Sequence, residues 1–241
     1  MTSAPITAIR RERETSRHPE FQRMSLCSRS GTDRVLPDGV VMDANVAESS
    51  LQPKSDQASQ MASLVRKLAD FGQILNAQLR LRGTAKAPFS VRLRGRVQLS
   101  GHGEVVLGEG VSLNGTVVPI ELVTYTSGRI EIGNHTFINY GSSIAARASV
   151  KIGHYCHLGH YTFVMDNDQH GVVRRMELPQ SYPVVIEDHV WIGSKAVILA
   201  GVRIGSRAVI GAGSIVTKDI PPRCVAAGNP ARVLRHLTDI E

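Results

Sequence analysis

His170 stands in the run VMDNDQHGVV, with Asp166 and Asp168 at alternate positions before it. An imidazole titrates near neutrality, so it can take a proton from a hydroxyl or an amine and later return it. A neighbouring aspartate can orient such a ring, bind the hydroxyls of a polyol, or cap the amides of a turn. For Asp166 and Asp168 the sequence leaves these roles open. Arg174 follows as a cation in the same stretch. Asn139, in FINYG, is either a side-chain amide offered to a ligand or a corner residue that tolerates positive φ. Trp191, in VWIGS, is the only tryptophan of a chain with 5% aromatic residues. Lys218, Arg232 and Arg235 can form charge-assisted hydrogen bonds with phosphate. His154, His157 and His160 are spaced by three, which invites comparison with a zinc site.

These residues hang on a six-residue period. Aliphatic residues recur at Ile132, Ile138 and Ile144, slip by two, and resume at Ile152, Leu158 and Val164. After a break the series runs through Ile186, Ile192, Ile198, Ile204, Ile210 and Val216. Glycine follows at Gly133, Gly153, Gly159, Gly193, Gly205 and Gly211. Four residues after the aliphatic position comes a small or β-branched side chain, as at Thr136, Ser142, Ala148, Cys156, Thr162, Ala196 and Ser214. A period of six fits neither an α-helix nor an alternating strand. It predicts an all-β parallel β-helix whose three short faces make a triangular coil. The aliphatic and small positions point inward, and glycine or a polar residue is expected at the tight turns that need positive φ. Trp191 follows an inward position and is expected to point outward. The same phase spreads the three histidines over different faces, so no metal site is expected. The chain leaves the period at 171–185, a break of the kind that carries function, and again after Val216.

The run from Ile186 to Arg235, IEDHVWIGSKAVILAGVRIGSRAVIGAGSIVTKDIPPRCVAAGNPARVLR, resembles the hexapeptide-repeat acyltransferases, whose β-helix is left-handed. The aspartate and histidine pattern before the loop is similar to that of family O-acetyltransferases acting on polysaccharide sugars. The resemblance implies an acetyl-CoA-dependent O-acetyltransferase with His170 as catalytic base, supported by Asp166 or Asp168. It implies acceptor contacts at Asn139 and Arg174. Donor contacts fall at Trp191, Ser194, Ala212, Thr217, Lys218, Arg232 and Arg235. It further implies a homotrimer with the site between neighbouring β-helices and a sugar, nucleotide-sugar or polysaccharide acceptor. Relatives of the galactoside type carry an acidic residue where this chain has Ile144, Ala145 and Ala146, which sets simple galactoside specificity aside. The rival readings are a nucleotide-amino-sugar N-acetyltransferase, a metal enzyme like the γ-type carbonic anhydrases, and a non-catalytic scaffold.

The rest of the chain reads as support. Residues 1–55 are rich in Ser, Arg, Pro, Asp and Glu without a sustained period, and are expected to be disordered. From 56 to 85 an amphipathic helix is expected, with Met61, Leu64, Val65, Leu68, Phe71, Leu75 and Leu79 on one apolar face and Gly83 ending it. That face is expected to cap the open end of the β-helix. The β-helix itself is assigned to 86–220, with Val91, Val97, Leu107, Leu113 and Ile120 inward in its irregular first coils. Residues 221–241 form a tail packing back on it. Of the net charge of +7, the stretch 61–104 holds eight basic against two acidic residues. No nucleic-acid motif accompanies that excess. Three cysteines without metal spacing fit a reducing compartment. No apolar run approaches a membrane span or a signal core, so a cytoplasmic protein is expected.

Overall fold

The computed structural model describes residues 53–125, 127–168, 170 and 180–238, with side chains from Ala58 onward. Helix α1 (Pro53–Leu81) leads into a parallel β-helix of three faces. One face stacks Glu104–Leu107, Arg129–Ile132, Ser149–Ile152, Val184–Ile186 and Arg203–Ile204. The second stacks Phe137–Ile138, His157–Leu158, Trp191–Ile192, Val209–Ile210 and Cys224–Gly228. The third stacks Ser143–Ala146, Phe163–Met165, Val197–Ile198 and Ile215–Val216. The long strand Ser112–Thr124 turns through the second and third faces, and Arg92–Gly101 pairs beneath it as the first rung. The hand of the helix is left.

The period of six becomes three inward columns. Leu107, Ile132, Ile152, Ile186 and Ile204 lie in register on the first face. Leu113, Ile138, Leu158, Ile192 and Ile210 do so on the second. Leu122, Ile144, Val164, Ile198 and Val216 fill the third. All are buried, each contributing about 1.5–3 kcal/mol from lost water contact. Buried hydroxyls between them keep partners, as buried polar groups must. Thr136 Oγ1 donates to Gly153 O at 2.7 Å, and Ser214 Oγ to Gly211 O at 2.7 Å. Of the early inward residues, Val91, Leu107, Leu113 and Ile120 are buried, whereas Val97 is only partly so.

The corners settle one expectation for the polar residue and correct its glycine half. The hexad glycines do not carry the positive φ. That conformation falls two residues later, at His135, Tyr155, Tyr161, Lys195, Arg207 and Gly213, and in the same slot at His189, with φ of 55–69°. Each of these residues is held by its amide: Tyr155 N donates to Asn134 O, His189 N to His154 O and Arg207 N to Asp188 O, at 2.8–3.0 Å. The glycines serve a different need. A Cβ on Gly193 would lie 2.5 Å from Ala212 N, and one on Gly205 2.4 Å from Pro222 N. The coils approach too closely there for any side chain.

A second correction concerns the two-residue slip. Ala148 is exposed, and Val150 takes the inward place. The extra residues Ala145 and Ala146 are themselves buried. The third concerns α1. Its contact with the first rung uses Asn76, Ala77, Gln78 and Leu81, not the apolar face. Asn76 Nδ2 donates to Leu93 O at 2.9 Å and Gly95 O at 3.0 Å, and Gln78 Nε2 to Pro88 O at 3.1 Å. Ala77 and Leu81 are buried beside them. The free edge of a first rung presents unpaired backbone groups, and its Leu93 and Gly95 carbonyls call for donors rather than methyl groups. All seven residues of the predicted apolar face are exposed.

At the far end, Cys224–Gly228 adds a parallel rung beside Val209–Ile210. The chain then returns as the antiparallel strand Ala231–His236. Residues 1–52 lie outside the described residues, as do most of the break at 171–185 and its Arg174. Among the described residues no helix is long and apolar enough to cross a membrane.

Candidate functional site

The excursion from the β-helix begins at the corner that follows Phe163–Met165. Its root is pinned by an isolated bridge between Asn167 and Ser181. Tyr182 N donates to Asp166 O at 2.8 Å, and Gly201 N to Tyr182 O at 2.9 Å. His170 is exposed just past this root, in a tight turn where its amide donates to Asp168 O at 2.7 Å. Asp168 is also exposed, while Asp166 is fully buried. The Asp166 carboxylate accepts from the amides of Arg147, Ala148 and Ser149 at 2.6–2.8 Å, and from Asn167 Nδ2 at 2.9 Å. It closes the turn that the slip in the coil below would otherwise leave with unpaired donors. Of the two aspartates, Asp168 is the one exposed beside His170.

Other predicted residues gather at the corner between the second and third faces. Asn139 is half-buried, and its Oδ1 accepts from Asn114 Nδ2 at 2.8 Å and from the Tyr140 amide at 2.9 Å. One slot along, Tyr140, His160, Ser194 and Ala212 follow one another up the corner. The Tyr140 and His160 rings stack at 5.1 Å, and His160 Nδ1 lies 3.0 Å from Ser194 Oγ. Gly213 N donates to Ser194 O at 2.8 Å, tying Ser194 to the coil that carries Ala212. Trp191 sits on the adjoining second face, 59% exposed, in register with His157 and Val209. The remaining donor-side residues are exposed. Thr217 and Lys218 extend the column that contains Val164, Ile198 and Val216, above the root of the excursion. Arg232 and Arg235 are on the returning strand, where Arg232 Nη1 donates to Ala231 O.

The candidates thus fall into two groups. One, with His170, Asp168, Thr217 and Lys218, follows the corner between the third and first faces. The other, with Asn139, Trp191, Ser194 and Ala212, follows the second face and its edge. In a triangular coil the second face lies opposite the first group's corner.

The pairing of His160 with Ser194 was missed in the sequence, because the three histidines drew notice by their mutual spacing. The hexad phase was the signal: 140, 160, 194 and 212 occupy one slot. In the same way His135, Tyr155 and His189 stack along another corner, at 5.0 and 5.1 Å. His154 Nδ1 accepts from Asn134 N, while His157 lies near Phe137. No group of three metal-ligating side chains occurs among the described residues. The Cys156 thiol, buried and donating to Glu187 O at 3.0 Å, is pushed up to about 11 by burial. Burial raises Cys224 as well.

Comparison with known proteins follows the geometry. Residues 183–218 match the bacterial transferase hexapeptide (six repeats) family. The galactoside O-acetyltransferase of Escherichia coli (strain K12) is 42% identical over 131 residues, covering 54% of this chain and 64% of that protein. A 2,3,4,5-tetrahydropyridine-2,6-dicarboxylate N-acetyltransferase of Staphylococcus aureus (strain JH9) is 47% identical over 66 residues, covering 27% of this chain and 28% of that protein. The chain therefore spans less than two thirds of either relative. Among solved structures, a variant of AntD, an N-acyltransferase from Bacillus cereus in complex with dTDP-4-amino-4,6-dideoxyglucose and coenzyme A, superposes with a TM-score of 0.54. It is 17% identical, covers 63% of this chain and 83% of that one, and shares the fold. Residues 183–218 of this chain thus carry the repeat of the bacterial transferase hexapeptide family, on a β-helix of the kind that AntD shares.

Proposed function

We propose that this protein is an acetyl-CoA-dependent O-acetyltransferase that acts on a sugar hydroxyl in the synthesis of envelope polysaccharide. The observation that carries the reading is an exposed histidine at the pinned root of an excursion, opposite a face that presents an outward tryptophan. One chain holds the base and the donor wall apart, so the site is shared: His170 of one copy faces Trp191 of a neighbour in a homotrimer. The E. coli relative, named for O-acetyl transfer, supports the chemistry.

In this reading His170 takes the proton of the acceptor hydroxyl as the oxygen attacks the thioester carbonyl. The Ser194 amide donates to the oxyanion that forms. Collapse expels the coenzyme A thiolate, which recovers the proton from the imidazolium. Asp168 is the carboxylate left to orient His170, since Asp166 is committed to its turn. Asn139 and Arg174 contact the acceptor. Trp191 and Ala212 line the pantetheine path, and Thr217, Lys218, Arg232 and Arg235 receive the nucleotide end. No acyl-enzyme is needed, because the Cys156 thiol is buried and protonated at neutral pH. The proposal sets the reaction in the cytoplasm, where Cys156 and Cys224 stay reduced.

The S. aureus relative is named for N-acetyl transfer, which favours one alternative: transfer to an amine, which we take to be that of a nucleotide amino sugar. Incubation with acetyl-CoA and a panel of sugars and nucleotide sugars, followed by mass spectrometry, separates the two. An ester is lost in mild base and an amide persists. Under the main reading, His170→Ala lowers transfer by about 10²–10⁴-fold and leaves coenzyme A binding intact. A variant that keeps most of its activity refutes the assignment.

A further inference from the structure

The described apolar side chains of the first half of α1 have no packing partner among the described residues of the chain. From Ala58 to Gly72 every residue is exposed, polar and apolar alike. Yet this helix carries a continuous apolar stripe. Met61, Leu68 and Leu75 recur every seven residues, Leu64 and Phe71 interleave with them, and Val65 and Leu79 widen the seam. These seven side chains are 49–70% exposed. Helices in water draw most of their stability from packing an apolar face, and α1 shows no such packing among the described residues from Ala58 to Gly72. The stripe presents roughly 700 Å² of apolar surface, above the few hundred Å² usual for a monomer and close to one partner's share of a stable interface.

We infer that α1 docks through this stripe onto the same stripe of other copies of the chain, as a parallel helical bundle. The seven-residue repeat is the pattern by which identical helices interlock knobs into holes. Val65 and Leu79, beside the two-position seam, make it broader than a two-helix coiled coil uses, and match a bundle. With the β-helices side by side the orientation is parallel, because Asn76 and Gln78 fix the C-terminal turns of each helix to the first rung of its own β-helix. Other occupants fit less well. Residues 1–52 contain no apolar repeat to match the stripe. A membrane surface selects a helix whose polar side is dense in Lys and Arg. The exposed run offers Arg66 and Lys67 against Asp70, among Ser, Gln and Ala.

The inference does not depend on the transferase reading, and its test needs no activity. In the full chain carrying Cys27→Ser, cysteine is placed within the stripe by Leu68→Cys or outside it by Arg66→Cys. Cys156 and Cys224 are buried and contribute no background. Under mild oxidation, Leu68→Cys is expected to form an inter-chain disulfide at least tenfold faster than Arg66→Cys. Equal rates, or no cross-link in a chain of unchanged circular dichroism, overturn the inference. Leu68→Glu combined with Leu75→Glu alters exposed positions only, so the β-helix still forms, and the helical signal at 222 nm is expected to fall. Its full retention also overturns the inference. So does co-sedimentation of the unmodified stripe with anionic vesicles in the absence of any cross-link.

Discussion

At the scale of single residues, chemistry and architecture meet in three neighbours. Asp166, Asp168 and His170 read alike in the sequence, as polar groups at the edge of a break. Their partners separate them. Asp166 is bound to the amides of Arg147, Ala148 and Ser149, which lie a coil away and could not be foreseen from local spacing. Asp166→Asn replaces one acceptor oxygen with a donor. It is expected to cost about 1–3 kcal/mol for each amide left unpaired, read as a lower midpoint of chemical unfolding. Loss of transfer without loss of stability would instead give Asp166 a role in the reaction. Cys156 yields a pH prediction. Its folded-state value of about 11 stands above the ordinary thiol value of 9.0, so folding favours the protonated form. That contribution is complete below pH 9 and is lost as pH rises towards 11. A thiol reagent at neutral pH is expected to leave Cys156 unmodified until the chain unfolds.

At the scale of elements, the hexad was legible because its aliphatic residues must stack, and the three inward columns fall in register accordingly. The hexad assigns the tight turns to glycine or a polar residue; polar side chains take most of them, and the hexad glycines serve another need. Their reason is the coil above, which a linear reading does not contain. The two kinds of glycine can be told apart. Gly193→Ala sets a Cβ against the backbone of Ala212 and is expected to cost more than 2 kcal/mol in thermal unfolding. Gly213, at φ of 69° with no atom within 4 Å of an added Cβ, should lose only about 1 kcal/mol on the same change. Equal losses would mean that backbone conformation, not proximity, governs both. The helix shows the opposite lesson. Its apolar periodicity was plain, but which side meets the rung is set by the carbonyls of Leu93 and Gly95, and those belong to another element.

At the scale of the whole molecule, the β-helix keeps its candidate groups on opposite sides. A shared site makes a prediction that no single-chain site shares. Chains carrying His170→Ala and chains carrying Trp191→Ala, each inactive alone, are expected to recover a measurable part of the transfer rate when co-assembled. Some interfaces then unite an intact histidine with an intact tryptophan. Mixed assemblies that stay inactive would place both groups in one chain's site. The excursion has a last consequence. Its two ends are fastened by Asn167 to Ser181 and by Tyr182 to Asp166, within the rhythm of the coils. What lies between them is a cassette on a fixed socket. Doubling the length of such an insert costs only about 0.6 kcal/mol of closure entropy. If the excursion recognises the acceptor, as proposed, that recognition can be rewritten there by lengthening, shortening or exchange while the stacked columns stay as they are.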